Sequence, residues 1–184
     1  APPDIENLDW QDEDRVRNLA EFVFEETEAL ETRHKKVLVV VSQQTHAQLL
    51  HKEIIKCRRQ TEAPNLSEED IVFIHGDGTS VPYADSVRRL TDEVRDEVLD
   101  GFAQKSRGIL ISTGGLIGEG FDDRSIDTVL VTYPSESIGH LMQVAGRAMR
   151  FEPGKKFATI IQVRRSDEMA YHVEEDWLYQ DISD

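Results

Sequence analysis

The chain has 184 residues, a single cysteine and a formal net charge of -15. That length supports one well-buried domain and is too short for two of ordinary size. No run approaches the roughly eighteen apolar residues of a membrane span, and one cysteine can form neither an internal disulfide nor a cysteine-rich zinc site.

The first predicted element is an amphipathic helix over residues 11–33. Val16, Leu19, Ala20, Val23, Phe24, Thr27 and Leu30 recur at helical spacing, and acids crowd the first turn. The basic run Arg33-His34-Lys35-Lys36 suits the negative end of its dipole. Val37-Leu38-Val39-Val40-Val41 is an unbroken apolar run of buried-strand length, followed by polar Ser42-Gln43-Gln44-Thr45 and a helix over residues 46–59. The alternation continues with a strand over 71–75, a helix over 87–102, strands over 108–112 and 128–132, a helix over 138–149 and a strand over 157–163. Residues 61–69 and 77–85 read as loops, the second rich in Gly, Ser and Pro. Apolar strands alternating with amphipathic helices predict a doubly wound, mainly parallel α/β sheet with helices on both faces. The expected organisation is an acidic helix docked on the domain (residues 1–35), the α/β body (36–165) and an acidic C-terminal segment (166–184).

The negative charge is terminal. Residues 1–31 hold eleven acids and two bases, residues 174–184 five acids and no base, and the body between is nearly neutral. Such a body can carry a local basic groove, because screening confines each patch to about 8–10 Å at physiological salt. The opening Ala1-Pro2-Pro3-Asp4 has neither the basic nor the apolar region of a signal peptide, and with the lone cysteine it points to a reducing compartment, the cytoplasm. His34, His46, His51, His140 and His172 lack metal-ligand spacing, so no metal site is expected. Trp10 and Trp177 read as anchors that dock the terminal segments, and Cys57 as a small apolar filler on a helix.

In open α/β sheets ligands gather at the carboxyl ends of strands. Four polar stretches fall there: Ser42-Gln43-Gln44-Thr45, His75-Gly76-Asp77-Gly78, residues 113–123 and residues 133–137. The third is glycine-rich but reads G-G-x-x-G-x-G from Gly114 to Gly120, which is not the dinucleotide fingerprint G-x-G-x-x-G. Its glycines permit close backbone approach to a phosphate chain, and Asp122 is left to accept hydrogen bonds from a ribose or to orient an arginine. Further on, Gln143, Arg147 and Arg150 stand at i, i+4 and i+7, one polar row on a predicted helix. Guanidinium groups on a rigid helix are planar, always charged and able to bind oxygens bidentately, which suits the spread charge of a transferring phosphoryl group. That is the chemistry of an arginine finger.

These segments occur in an order that resembles the second RecA-like domain of a superfamily 2 helicase, over residues 36–162. Residues 37–44 are similar to that family's motif IV, and residues 109–122 to motif V. Ile74-His75-Gly76 with residues 94–102 matches its HG segment, and residues 143–150 match motif VI, Q-x-x-G-R-x-x-R. The resemblance implies that Arg147 and Arg150 reach the ATP phosphates, with Gln143 near the γ-phosphate or its attacking water. Gly120, Asp122 and Gly146 would line the same cleft. It places Ser42, Gln43, His75, Gly76, Thr113 and Gly114 along a nucleic-acid backbone. The forms Gly118-Glu119-Gly120-Phe121-Asp122 and Gly146-Arg147-Ala148-Met149-Arg150 look closest to DNA repair and type III restriction helicases, which implies DNA.

The family's P-loop, G-x-x-x-x-G-K-[ST], is missing: Gly154-Lys155 is followed by Lys156, and Met149 stands where the first glycine belongs. No strand ends in an acidic metal-binding box. ATP and Mg²⁺ are therefore expected on a first RecA-like domain of the same polypeptide, outside these residues, and the chain alone is expected to be inactive as an ATPase. The alternative expectation is a non-catalytic helicase-like module that binds proteins through its acidic first helix. A nucleotide-binding oxidoreductase would require tight NAD binding, which is not expected.

Overall fold

The computed structural model describes residues 10–32, 34–74, 80–83, 86–89, 92–113, 125–132, 159–163 and 171–175. The first element is helix α1, Glu13–Glu28, started by Asp12, whose carboxylate accepts the backbone N–H groups of Asp14 and Arg15 at 3.1 and 3.3 Å. Its buried stripe is Val16, Leu19, Ala20, Val23, Phe24 and Thr27. The helix stops short of residue 33. Ala29 turns to an extended conformation with ψ 136°, and Leu30 is 77 % exposed, so it is no part of the core. The basic run does not close the helix either: its last turn holds no base, and the Arg107 guanidinium donates to the carbonyl oxygens of Thr27 and Ala29 instead. A cation distant in sequence thereby satisfies carbonyls that the helix leaves unpaired.

Strand β1, Lys36–Val41, is buried at all six positions. Successive side chains point to opposite faces, so both faces of the sheet are covered here. Helix α2, Gln44–Arg59, buries Ala47, Leu50 and Ile54 and packs along α1. Next come a 3₁₀ turn at Glu68–Asp70, strand β2 at Ile71–Ile74, strand β3 at Ser80–Tyr83, strand β4 at Ser86–Arg89 and helix α3 at Asp92–Ala103. Strands β5, Gly108–Thr113, β6, Thr128–Val131, β7, Thr159–Val163, and β8, Tyr171–Glu175, complete the described elements. The main sheet runs β2-β5-β1-β6-β7-β8, parallel except for the antiparallel β7–β8 pair. This is the mainly parallel RecA-like α/β fold that the alternation predicts.

Three expectations change. The helix expected over 87–102 begins only at Asp92; residues 86–89 form β4, which pairs antiparallel with β3, inside the stretch expected as loop. Val87, Val94 and Val98 share a helical period, but Val87 lies opposite Pro82 in a ribbon that has two strands among the described residues, an edge position where a proline is tolerated. The acidic segment 166–184 contributes β8 to the sheet edge. The helix expected over 138–149 lies outside the described residues.

One buried cation was not foreseen. Lys36, 1 % exposed, donates through Nζ to the Phe102 carbonyl at 2.8 Å and the Ser125 hydroxyl at 2.6 Å, and sits 4.4 Å over the Phe102 ring. These contacts offset its desolvation and tie β1 to α3.

Candidate functional site

Parallel strands deliver their carboxyl ends to one edge, and the register states which residues meet there. Val41 lies opposite Thr113, Val40 opposite Val131 and Ile74 opposite Ser112. Thr113 closes β5 beside the exit of β1, where Ser42 and Gln43 follow exposed. That exit is held from the other flank by Thr132, whose backbone N–H and hydroxyl both donate to the Val40 carbonyl, at 3.2 and 2.9 Å. Ser112 is buried, and its hydroxyl donates to the Thr113 carbonyl at 3.0 Å, stiffening the end of β5.

Among the described residues two helices reach this edge, and they differ in charge. Asp12 caps α1, and Glu13 and Asp14 fill its first turn. Gln43, extended at φ -139° and ψ 152°, precedes α2 without a side-chain cap, and the first turn of α2 carries no acid. Helix-terminal N–H groups and the positive dipole end favour an anion there, with the Ser42 hydroxyl beside them. Ser42, Gln43 and Thr113 thus form one corner suited to hydrogen-bonding phosphate oxygens.

One neighbour of that corner has no local signature along the chain. Trp10 stacks on His46 in the first turn of α2, with ring centroids 4.4 Å apart and planes 9° from parallel. His46 Nδ1 in turn lies 3.4 Å from the Ser42 hydroxyl. Burial pulls the His46 pKa below the usual histidine value of 6.5, which favours the neutral ring at neutral pH. Two rings so distant in sequence carry no shared pattern; only the packing of α1 on α2 unites them.

Of the residues singled out from the sequence, the described structure brings together Ser42, Gln43 and Thr113. His75, Gly76, Gly114, Gly120, Asp122, Gln143, Gly146, Arg147 and Arg150 lie outside the described residues. A cavity of about 740 Å³ lies elsewhere, between α2 and α3 beside the first residues of β2, lined by His51, Arg58, Val72, Glu97 and Phe102 among others. Its bases are engaged: Arg58 Nε donates to the Leu66 carbonyl at 3.0 Å, Arg59 pairs with Glu68 at 2.6 Å and Lys105 with Asp70 at 3.0 Å.

The helicase conserved C-terminal domain family matches this chain over residues 14–152. No curated protein matches it in sequence. Among solved structures, Mss116p DEAD-box helicase domain 2 bound to an RNA duplex is similar at a TM-score of 0.53 and 16 % identity, over 77 % of this chain and 46 % of that one. S. cerevisiae Dbp5 bound to RNA and ADP BeF3 is similar at a TM-score of 0.50 and 17 % identity, over 80 % of this chain and 31 % of that one. At such identities the likeness is one of fold, and this chain spans less than half the length of either.

Proposed function

The chain belongs to the helicase conserved C-terminal domain family, and from that membership we propose that it is the arginine-bearing half of an ATP-dependent helicase or translocase whose track is DNA. The observation that carries this reading is the Val41–Thr113 register. It supports a continuous phosphate-binding corner built from Ser42, Gln43 and Thr113, the strand ends to which the helicase resemblance assigns nucleic-acid contacts. Small hydroxyl and amide groups with exposed backbone N–H groups suit backbone tracking, which needs position and no base identity.

Beyond Thr113 the chain runs into Gly114, Gly120 and Asp122, and beyond Thr132 toward Gln143, Gly146, Arg147 and Arg150. Their roles at the ATP phosphates rest on the resemblance and on the guanidinium chemistry of the row. ATP with Mg²⁺, held by a P-loop domain of the same polypeptide, would supply the phosphoryl group. Closure of the two domains on ATP and their reopening after hydrolysis would advance the chain along the strand. We place this work in the cytoplasm. The alternative, a protein-binding module acting through the first helix, needs the apolar face of α1 free; that face is buried, with Leu19 and Ala20 fully inaccessible.

The test is made in the polypeptide that joins this chain to its P-loop domain. Arg150→Ala should remove nucleic-acid-stimulated ATP hydrolysis, by the roughly 10³–10⁵ that an arginine finger supplies, without altering circular dichroism. Near-full turnover would end the arginine-finger assignment, and ATP hydrolysis by the homogeneous 184-residue chain would end the claim that this half is inactive alone. Competition between DNA and RNA oligonucleotides of one sequence decides the track.

A further inference from the structure

Trp10 precedes the N-cap of α1, and His46 lies in the first turn of α2, yet their rings lie face to face at the edge where Ser42 and Thr113 meet. The stack is held from both sides. α1 packs along α2 with Val16, Leu19, Ala20 and Val23 buried, and its far end is clamped by Arg107 on the Ala29 carbonyl at 2.7 Å and by Glu28, whose carboxylate accepts the Leu66 N–H at 3.0 Å. Asp12, two residues after Trp10, fixes the start of the same helix. Trp10 is therefore set by a rigid element, and the imidazole has its plane set in turn.

We infer that Trp10 is a positioning residue for the nucleic-acid corner: by stacking on His46 it holds the imidazole against Ser42 and so aims the Ser42 hydroxyl at a phosphate oxygen. This role rests on the function proposed for that corner. The tautomer sets the direction of this contact. A hydroxyl donates one proton, and in the tautomer whose Nδ1–H donates to the Ser42 oxygen that proton remains free for the phosphate. A ring left to flip about χ2 presents Cδ2 in place of Nδ1, and the contact that orients the hydroxyl is lost. The contact is long, at 3.4 Å, so a small shift of the ring decides whether it exists. The ligand is a single-stranded nucleic-acid backbone.

The experiment uses the 184-residue chain and a fluorescein-labelled single-stranded DNA oligonucleotide, read by anisotropy at low salt. Trp10→Ala should weaken binding by about three- to tenfold, the worth of one oriented hydrogen bond, and Trp10→Phe should keep most of the affinity because a ring remains. Ser42→Ala should lose as much, and the double variant no more than Ser42→Ala alone. In the wild type, the ring current of Trp10 should displace the His46 Cε1–H resonance upfield, and Trp10→Leu, which keeps apolar bulk, should abolish that displacement together with the affinity. Phe22→Ala removes an α1 ring packed on the core, well past the N-cap at Asp12; it should lower the thermal midpoint and leave affinity unchanged below it. Wild-type affinity in both Trp10→Ala and Trp10→Leu, or losses that add independently to that of Ser42→Ala, would overturn the role. A wild-type chain that shows the displaced resonance yet binds no oligonucleotide would instead overturn the corner's own assignment, and this role with it.

Discussion

Thr113 and Val41 are register partners at the carboxyl ends of two parallel strands, so the hydroxyl that ends β5 and the hydroxyl of Ser42, which follows β1, belong to one edge of the sheet. Thr113 is only half-buried, which leaves its side chain within reach of a ligand. Replacing it by valine keeps the shape and removes the hydroxyl. Thr113→Val should weaken oligonucleotide binding by roughly three- to tenfold while the urea midpoint stays within error, since valine keeps the shape of a side chain at the half-buried end of the strand. Unchanged anisotropy titrations would remove Thr113 from the interface.

Much of this edge was legible in advance because its signals are local. The run from Val37 to Val41 is apolar on both faces, which only a strand covered on both sides tolerates, and the polar stretch after it could only be a strand exit. What escaped were relationships that no local pattern encodes. The pairing of Pro82 with Val87 turns a stretch of helical period into a ribbon, and the β8 edge strand lies in a segment whose acidity masked it. The Trp10–His46 stack depends on the angle at which α1 meets α2. The arginine row Gln143, Arg147 and Arg150, expected from spacing alone, lies outside the described residues.

Arg107 closes α1 where the basic run after residue 32 was expected to do so. The last turn of α1 itself contains no base. Arg107→Ala should lower unfolding free energy by about 1–2 kcal/mol, combining lost hydrogen bonds to Thr27 and Ala29 with a lost charge at the negative end of the helix. Urea denaturation measures it, and a value within 0.3 kcal/mol of wild type, roughly the spread of neutral surface changes, would show that solvent caps the helix equally well.

His51 makes stability depend on pH. Its Nε2–H donates to the Ile71 carbonyl at 2.9 Å, and its ring lies 4.7 Å from that of Phe73. Burial lowers its pKa below 6.5, outweighing the raising effects of the Ile71 carbonyl and of Glu68. The folded protein therefore resists a proton that the unfolded chain accepts near pH 6.5. Stability from this residue is whole above that value, declines as pH falls toward the lower folded pKa, and levels off below it. Carboxylates titrate over part of the same range, so the comparison is with His51→Gln, which can still donate to Ile71. Between pH 7.5 and 5.5 the wild type should lose more stability than His51→Gln; equal losses would mean that the imidazole charges freely in the fold.

Two glycines near Phe102 should respond to alanine with opposite signs. A Cβ at Gly108, the first residue of β5, would stand 2.7 Å from Cε2 of Phe102 and 2.9 Å from the backbone oxygen of Asp70. Neither neighbour yields readily: the Phe102 ring is 1 % exposed beneath the Lys36 ammonium, and Asp70 N–H is bonded to the Ser67 carbonyl at 3.1 Å. Gly108→Ala should cost about 1–3 kcal/mol as the ring or the strand end is displaced. Gly101, exposed in α3, has no atom within 4 Å of a built Cβ. There alanine adds no clash and removes the conformational freedom that glycine loses on folding, so Gly101→Ala should stabilise by about 0.5–1 kcal/mol. Urea denaturation of both variants decides the matter. A neutral Gly108→Ala would show that Phe102 can move without loosening Lys36, and with it that the β1–α3 tie is softer than its contacts imply.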